Sequence, residues 1–396
     1  MINIKNLQSD FATKSGQEKY INELNNRINT VFAKTVINEK EWRSLFLDLD
    51  LAFYTNEAVY NALTRVITDY SRFSNDFQRV ILTTVFSLYP NKFTEETSKI
   101  FEETNDSQIF VMAAKHLLQN NYKDISIDYI NSKIESGFGG RKDDIIEFFL
   151  NDLKPDKTEP GIKALLDHSF QKGKTIIYTI FRKDRSFTGI TIIKKPNGEF
   201  VKDENDSLFF IKQLGTSTSR LPGYLSKGNT PQGIFSIVGS YISPTKSIGP
   251  TDNVLIRIPF GKSPKIFFHG KNKYQNWNIE DYKNLLPETW KDYLPVYESF
   301  YAGKNGRRLI VMHGSTDNLE FYKNKPYYPL TPTMGCISAK EIWDLETGYC
   351  IESDQAKLLN AFYSTKQLKG FLVVVNIDDK KLPVTIKEIR QLLNSK

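Results

Sequence analysis

Between about residues 16 and 172 apolar side chains recur at helical spacing, and the breaks carry capping or turn residues: Thr55-Asn56, Ser74-Asn75, Pro90-Asn91 and Asn105-Asp106. In "DSQIFVMAAKHLLQN" the spacing sets Ile109, Met112, Ala113 and Leu117 on one face, with Asp106 placed to cap the N-terminus. "EWRSLFLDLDLAFY", "NEAVYNALTRVITDYSRF", "NDFQRVILTTVFSLY" and "DDIIEFFLNDL" follow the same rule. Helices of about 12 to 18 residues joined by short polar turns predict antiparallel pairs stacked as a bundle or short α-solenoid. His116 and His168 fall among these apolar faces and read as structural residues.

From about residue 174 the rhythm shortens to β-branched and aromatic runs cut by Gly, Pro and Asn: "TIIYTIF", "FTGITIIKK", "SLFFIKQLG", "GIFSIVGS", "NVLIRIPF", "KIFFHG", "RLIVMHG" and "FLVVVNI". These predict strands, with "KPNGEF" a turn between the second and third. An aromatic-rich, more helical stretch interrupts them between His269 and Arg307, and "SAKEIWDLETG" predicts a short helix beginning near Ser338. The fold class expected is multidomain α + β: an all-α domain over 1–172 and a mostly-β domain over 173–396, with an insert at about 271–306.

Composition adds limits. The chain has 396 residues, 40% hydrophobic and 25% charged, and lacks the run of about 18 apolar residues that a membrane helix needs. A net charge of +7 suits an anionic partner, but the lysines are dispersed without a block of basic residues, so no nucleic-acid partner is expected. Two cysteines, Cys336 and Cys350, form neither a disulfide framework nor a zinc site of the usual kind.

Chemistry concentrates between 313 and 338. His313 ends an apolar strand, and Gly314 frees the chain to leave the sheet; Cys336 follows Gly335, which permits a sharp turn. A cysteine attacks carbonyls as its thiolate, and a nearby base favours that form. His313 is therefore the candidate base and Cys336 the candidate nucleophile. Thr333, Met334 and Gly335, with Gly314 and Ser315 opposite, shape the site, and the amides around 334–336 are placed to meet a developing oxyanion. His269, read as a strand-end residue in "IFFHG", is the alternative base or a cleft-lining residue. A disulfide to Cys350 would silence Cys336, so Cys350 reads as a packing residue. The rings of Trp277, Tyr282, Trp290, Tyr293 and Tyr297 read as the insert's own small core, or else as a lid.

Three segments in order, "TPQGIFSI" at 230–237, "HGST" at 313–316 and "TMGCI" at 333–337, resemble the L,D-transpeptidase (YkuD-type) catalytic domain over residues about 175–380. Where that family carries histidine before Gly-Cys this chain has Met334, and where it carries Arg or Asn two residues after the cysteine it has Ser338. The resemblance implies an enzyme that needs no cofactor and no metal. Cys336 would attack the carbonyl at the L-centre of a peptidoglycan tetrapeptide stem, expel D-Ala, and pass the acyl group to an amine in a 3-3 cross-link, with His313 moving the protons. Water as acceptor would make it an L,D-carboxypeptidase or a cross-link hydrolase, and a degenerate site would make it a peptidoglycan-binding scaffold. The resemblance also implies a cell-envelope or periplasmic location, with an export signal removed before Met1, and a helical domain that positions substrate or a protein partner.

Overall fold

A computed structural model of the chain describes residues 1–123, 125–138, 143–154, 159–167, 169–270 and 275–394; His168 lies outside them. Helices dominate the N-terminal part and an eight-stranded barrel the C-terminal part, a mixed α/β architecture. The chain forms two compact units: Lys19–Lys157 with Thr218–Gly228, and Met1–Glu18 with Thr158–Ser217 and Asn229–Lys396.

The helical unit holds most of α1 (Lys14–Val31), then α2 (Glu39–Ala52), α3 (Glu57–Thr68), α4 (Asn75–Leu88), α5 (Thr94–Glu103), α6 (Ser107–Gln119), α7 (Ile127–Gly137) and α8 (Asp144–Asp152). Side-chain caps set several of the starts. Asn38, Asn56, Ser74, Asp106, Ser126 and Asp143 each accept a hydrogen bond from a first-turn N–H, a device that contributes about 1 kcal/mol apiece. Trp42, Phe46 and Phe77 interlock in the core with ring centroids 5.8–6.5 Å apart. His116 is buried there, edge-on to Phe86, and burial pulls its pKa down to about 4, so it is an uncharged core residue. Residues 218–228 complete this unit: Tyr224 stacks on Phe148 and donates to Asp152 at 2.8 Å, and Lys227 faces buried Asp50, whose pKa burial raises to about 7.

The strands of the other unit are β1 (Thr175–Phe181), β2 (Gly189–Lys194), β3 (Ile211–Leu214), β4 (Gly233–Tyr241), β5 (Asn253–Arg257), β6 (Met312–His313), β7 (Ile337–Ala339), β8 (Glu341–Trp343), β9 (Cys350–Ser353) and β10 (Gly370–Asn376). A closed barrel runs β1-β10-β4-β5-β6-β7-β3-β2, with β8-β9 a separate hairpin. Period-2 alternation fills it: Phe235 and Ile237, Met312, Ile337 and Ala339 join one apolar core, so His313, Ser236 and Ser338 point out of the wall. Burying each such Phe or Ile contributes about 1.5–3 kcal/mol. Shorter helices accompany the barrel: α9 (Lys163–Leu166), α10 (Pro264–Phe267), α11 (Ile279–Lys283), α12 (Glu298–Lys304), α13 (Asp354–Ser364) and α14 (Ile386–Asn394).

Four expectations need correction. "KIFFHG" is helix α10, not a strand: Ser263-Pro264 starts a helix, Pro having a φ already suited to the first turn. The helix expected from Ser338 is strand, because β7 is held between β6 and β3 and β8 pairs with β9. In "RLIVMHG" only Met312 and His313 form strand. The single boundary at 172/173 also fails. The first residues pair with the β8-β9 hairpin (Ser9 N–H to Gly348 O, 2.9 Å; Cys350 N–H to Leu7 O, 3.0 Å; Lys14 N–H to Leu345 O, 2.7 Å), and 218–228 packs among helices. The insert is helical as expected, with Trp277 stacked on Phe260 at 4.7 Å and Tyr282 and Trp290 buried, which makes its rings a core. No helix among the described residues is long and apolar enough to cross a membrane.

Candidate active site

Cys336 and His313 reach one place through the parallel pairing of β6 and β7. Met312 lies opposite Ile337 and His313 opposite Ser338, and Ile337 N–H donates to Val311 O at 3.0 Å. Cys336 is therefore level with Val311, two positions behind His313 on the neighbouring strand and on the same outward face. At about 3.3 Å per residue and 4.8 Å between strands, their Cα atoms stand about 8 Å apart, within reach of an imidazole and a thiol. The register, rather than proximity in sequence, makes the pair.

The imidazole is buried, and its Nδ1 meets the Gly314 carbonyl at 2.5 Å. A carbonyl only accepts, so Nδ1 carries the proton and Nε2 keeps its lone pair. Burial lowers the His313 pKa, against the Gly314 contact, so the ring rests neutral. Burial likewise raises the Cys336 thiol, opposed by a hydrogen bond with the Val311 backbone and by the charge of Arg307. Both cysteines are free thiols; Cys350 packs with Ala12 and Trp343 on the hairpin, where burial holds its thiol high, at about 12. Burial thus favours the neutral form of both the thiol and the imidazole.

The loop before Cys336 is pinned from several sides. Gly335 has φ +100°, a conformation other residues rarely adopt. Its N–H donates to Thr333 Oγ1 at 2.9 Å, and that hydroxyl donates to Cys336 O at 2.9 Å. The expected convergence of amides around 334–336 is thereby reduced, because the Gly335 N–H is engaged with Thr333. Thr230, of "TPQGIF", sets its hydroxyl 3.1 Å from Gly335 O and 3.3 Å from Cys336 O, so this motif buttresses the cysteine loop. Met334 and Cys336 are half-buried residues, whereas Ser338 is buried and donates to Thr331 O. Ser338 therefore offers nothing to a ligand.

Sequence reading missed two groups. Arg307, at the end of the insert, donates to Asn229 O at 2.8 Å and reaches Met334 O at 3.5 Å, which places its charge beside the thiol. Its only sequence signal is "GRR" after the insert. Glu341 lies against Gly314, with its carboxyl where a Cβ on that residue would stand. Ser315, named from sequence, donates to Asp317 at 3.1 Å, and its carbonyl accepts from Trp343 Nε1 at 2.8 Å; it holds the loop behind His313.

His269 is elsewhere. It follows α10 with φ +60°, its Nε2 faces Gly370 O at 2.8 Å, and its ring stands edge-on to Phe371. Its other neighbour is Ser236 on β4, and β5 and β6 separate β4 from β7, so His269 sits three strands round the wall from Cys336. It is neither the alternative base nor a residue lining this site. Comparison with protein-family models, curated proteins and solved structures gives no match for this chain.

Proposed function

We propose that the barrel unit is an L,D-transpeptidase-like cysteine acyltransferase acting on peptidoglycan stem peptides in the cell envelope, and that the helical unit positions substrate or a partner protein. The observation that carries the reading is the β6-β7 register, which sets Ser338 opposite His313 and so brings Cys336, two residues before it, to the same face as a His313 whose Nδ1 is committed to Gly314 O. As Cys336 Sγ attacks the carbonyl at the L-centre of the stem, His313 Nε2 takes the thiol proton. The oxyanion faces the Cys336 N–H. Collapse breaks the bond to D-Ala, whose amine leaves with the proton from His313, and a thioester remains. An amine of a second stem then attacks the thioester, its proton passes through His313 to the sulfur, and a 3-3 cross-link forms. Water in place of the amine gives an L,D-carboxypeptidase, and the same attack on an existing cross-link gives a hydrolase.

The test is incubation of purified protein with tetrapeptide muropeptides, with mass spectrometry for loss of D-Ala or for dimers. Turnover that persists in Cys336→Ala removes the mechanism. The engaged Gly335 N–H and raised thiol favour one other reading, a scaffold that binds peptidoglycan without turnover. Sacculus binding without an acyl adduct of a carbapenem on Cys336 supports that reading instead.

A further inference from the structure

Glu341 is 2% exposed, on the strand after β7. Thr251 Oγ1 and Ser353 Oγ donate to its Oε1 at 2.7 and 2.6 Å, the Ser315 N–H is directed at the same carboxyl, and Oε2 has no partner among the described residues. The carboxyl presses on Gly314 closely enough that no side chain fits there. Two residues along β8, Trp343 Nε1 holds the Ser315 carbonyl at 2.8 Å. One short strand therefore grips the peptide segment Gly314–Ser315 at both ends, and Gly314 O is the atom on which the His313 Nδ1 proton rests.

We propose that Glu341 is a positioning residue for His313: with Trp343 it fixes the Gly314–Ser315 segment so that the Gly314 carbonyl holds the imidazole with Nε2 turned to Cys336. This rests on the reading of Cys336 and His313 as nucleophile and base, and not on the identity of the acyl donor. Burial raises the carboxyl to about 7, opposed by Ser353, Thr251 and Ser315, so up to that pH it is largely a neutral filler rather than a charge behind the base. The other ionisable groups facing this region are Asp317 on the same loop, Asp354 at the start of α13, Cys350 on β9, and Cys336 and Arg307 across the site.

The experiment reads Cys336 itself. Iodoacetamide alkylation is followed by mass at the Cys336 peptide from pH 5 to 10, in a Cys350→Ser background, for the parent protein and for E341A, E341Q and H313A. In H313A the alkylation curve moves to higher pH, because the thiol loses its base. E341A is expected to move it in the same direction and to slow alkylation at pH 7 about tenfold, with kcat falling and KM held on any acyl donor found; E341Q, which keeps the shape and accepts from Thr251 and Ser353, restores the parent curve. A folded E341A with the parent curve, beside a shifted H313A, overturns the assignment of Glu341 alone. A parent curve in H313A overturns the nucleophile–base reading beneath it. Should E341A not fold, T251V removes one donor to Oε1 at nearly constant side-chain volume; a shifted curve supports the proposal and a parent curve overturns it.

Discussion

Two segments of this chain end an apolar run on His-Gly, and they come to opposite ends. "KIFFHG" begins at a Ser-Pro helix start and finishes as one turn of helix, with His269 in a left-handed conformation against Gly370 and Phe371. "LIVMHG" finishes as a two-residue strand whose histidine is set by its neighbours, β5 on one side and β7 on the other. The dipeptide is the same; the difference lies in which strand the segment meets. Register with β7 sets His313 beside the loop that carries Cys336, whereas His269, which lacks that register, packs on Gly370 and Phe371.

The largest effect expected from this contrast is at the nucleophile. Cys336→Ala abolishes acyl transfer and carbapenem acylation, measured by muropeptide mass spectrometry. Next comes the pair of histidines. H313A is expected to lower kcat/KM by about 10²- to 10⁴-fold, the usual contribution of a general base, whereas H269A stays within about threefold. Equal losses in the two variants would erase the distinction that the register draws.

Arg307 sharpens the comparison further, because it is hydrogen-bonded into the loop that carries Cys336, whereas the cations felt by His269 are Lys174 and Lys369. Its guanidinium ties Asn229 to Met334 and adds positive charge beside the thiol. Removing a cation favours the protonated form, so R307A is expected to move the alkylation curve of Cys336 to higher pH and to slow acylation about tenfold; R307K, which keeps charge without the fork, recovers part of the shift. An unchanged curve in R307A would separate the charge from the chemistry.

Much of the wall was legible in the sequence, and the reasons are local. The β-branched and aromatic runs "GIFSIVGS" and "TIIYTIF" were readable as strands because their composition is local, and Asp106 was readable as a cap because the cap acts within one turn. What escaped depends on distant pairing. "SAKEIWDLETG" has helix-start residues, yet β3, β6 and β9 hold it extended; Met1–Glu18 has no strand pattern, yet its backbone pairs with a hairpin some 340 residues away, as in Ser9 to Gly348. Arg307 and Glu341 escaped for the same reason: Arg307 reaches Met334 across 27 residues, and Glu341, though close after Cys336 in sequence, meets Gly314 only because β7 pairs with β6.

The smallest effect lies behind His313 and is read as stability. Glu341 has its pKa raised by burial from 4.5 to about 7, so the folded protein favours its protonated form more than the unfolded chain does. The stabilisation is complete below about 4.5 and is lost as pH climbs through about 7; a shift of this size corresponds to about 3 kcal/mol between the two limits. Glutamine does not ionise and escapes that loss. The melting temperature of E341Q relative to the parent is therefore expected to rise between pH 5 and pH 8, while H269N, in the packing segment, gives no such alkaline gain: burial lowers the His269 pKa, so the folded protein favours the neutral ring and the contribution of that residue in the parent grows, rather than falls, as pH rises. Thermal melts at four pH values decide it: a flat difference for E341Q means that the carboxyl beside Gly314 is ionised at neutral pH, and the base then works against a buried charge instead of a neutral wall.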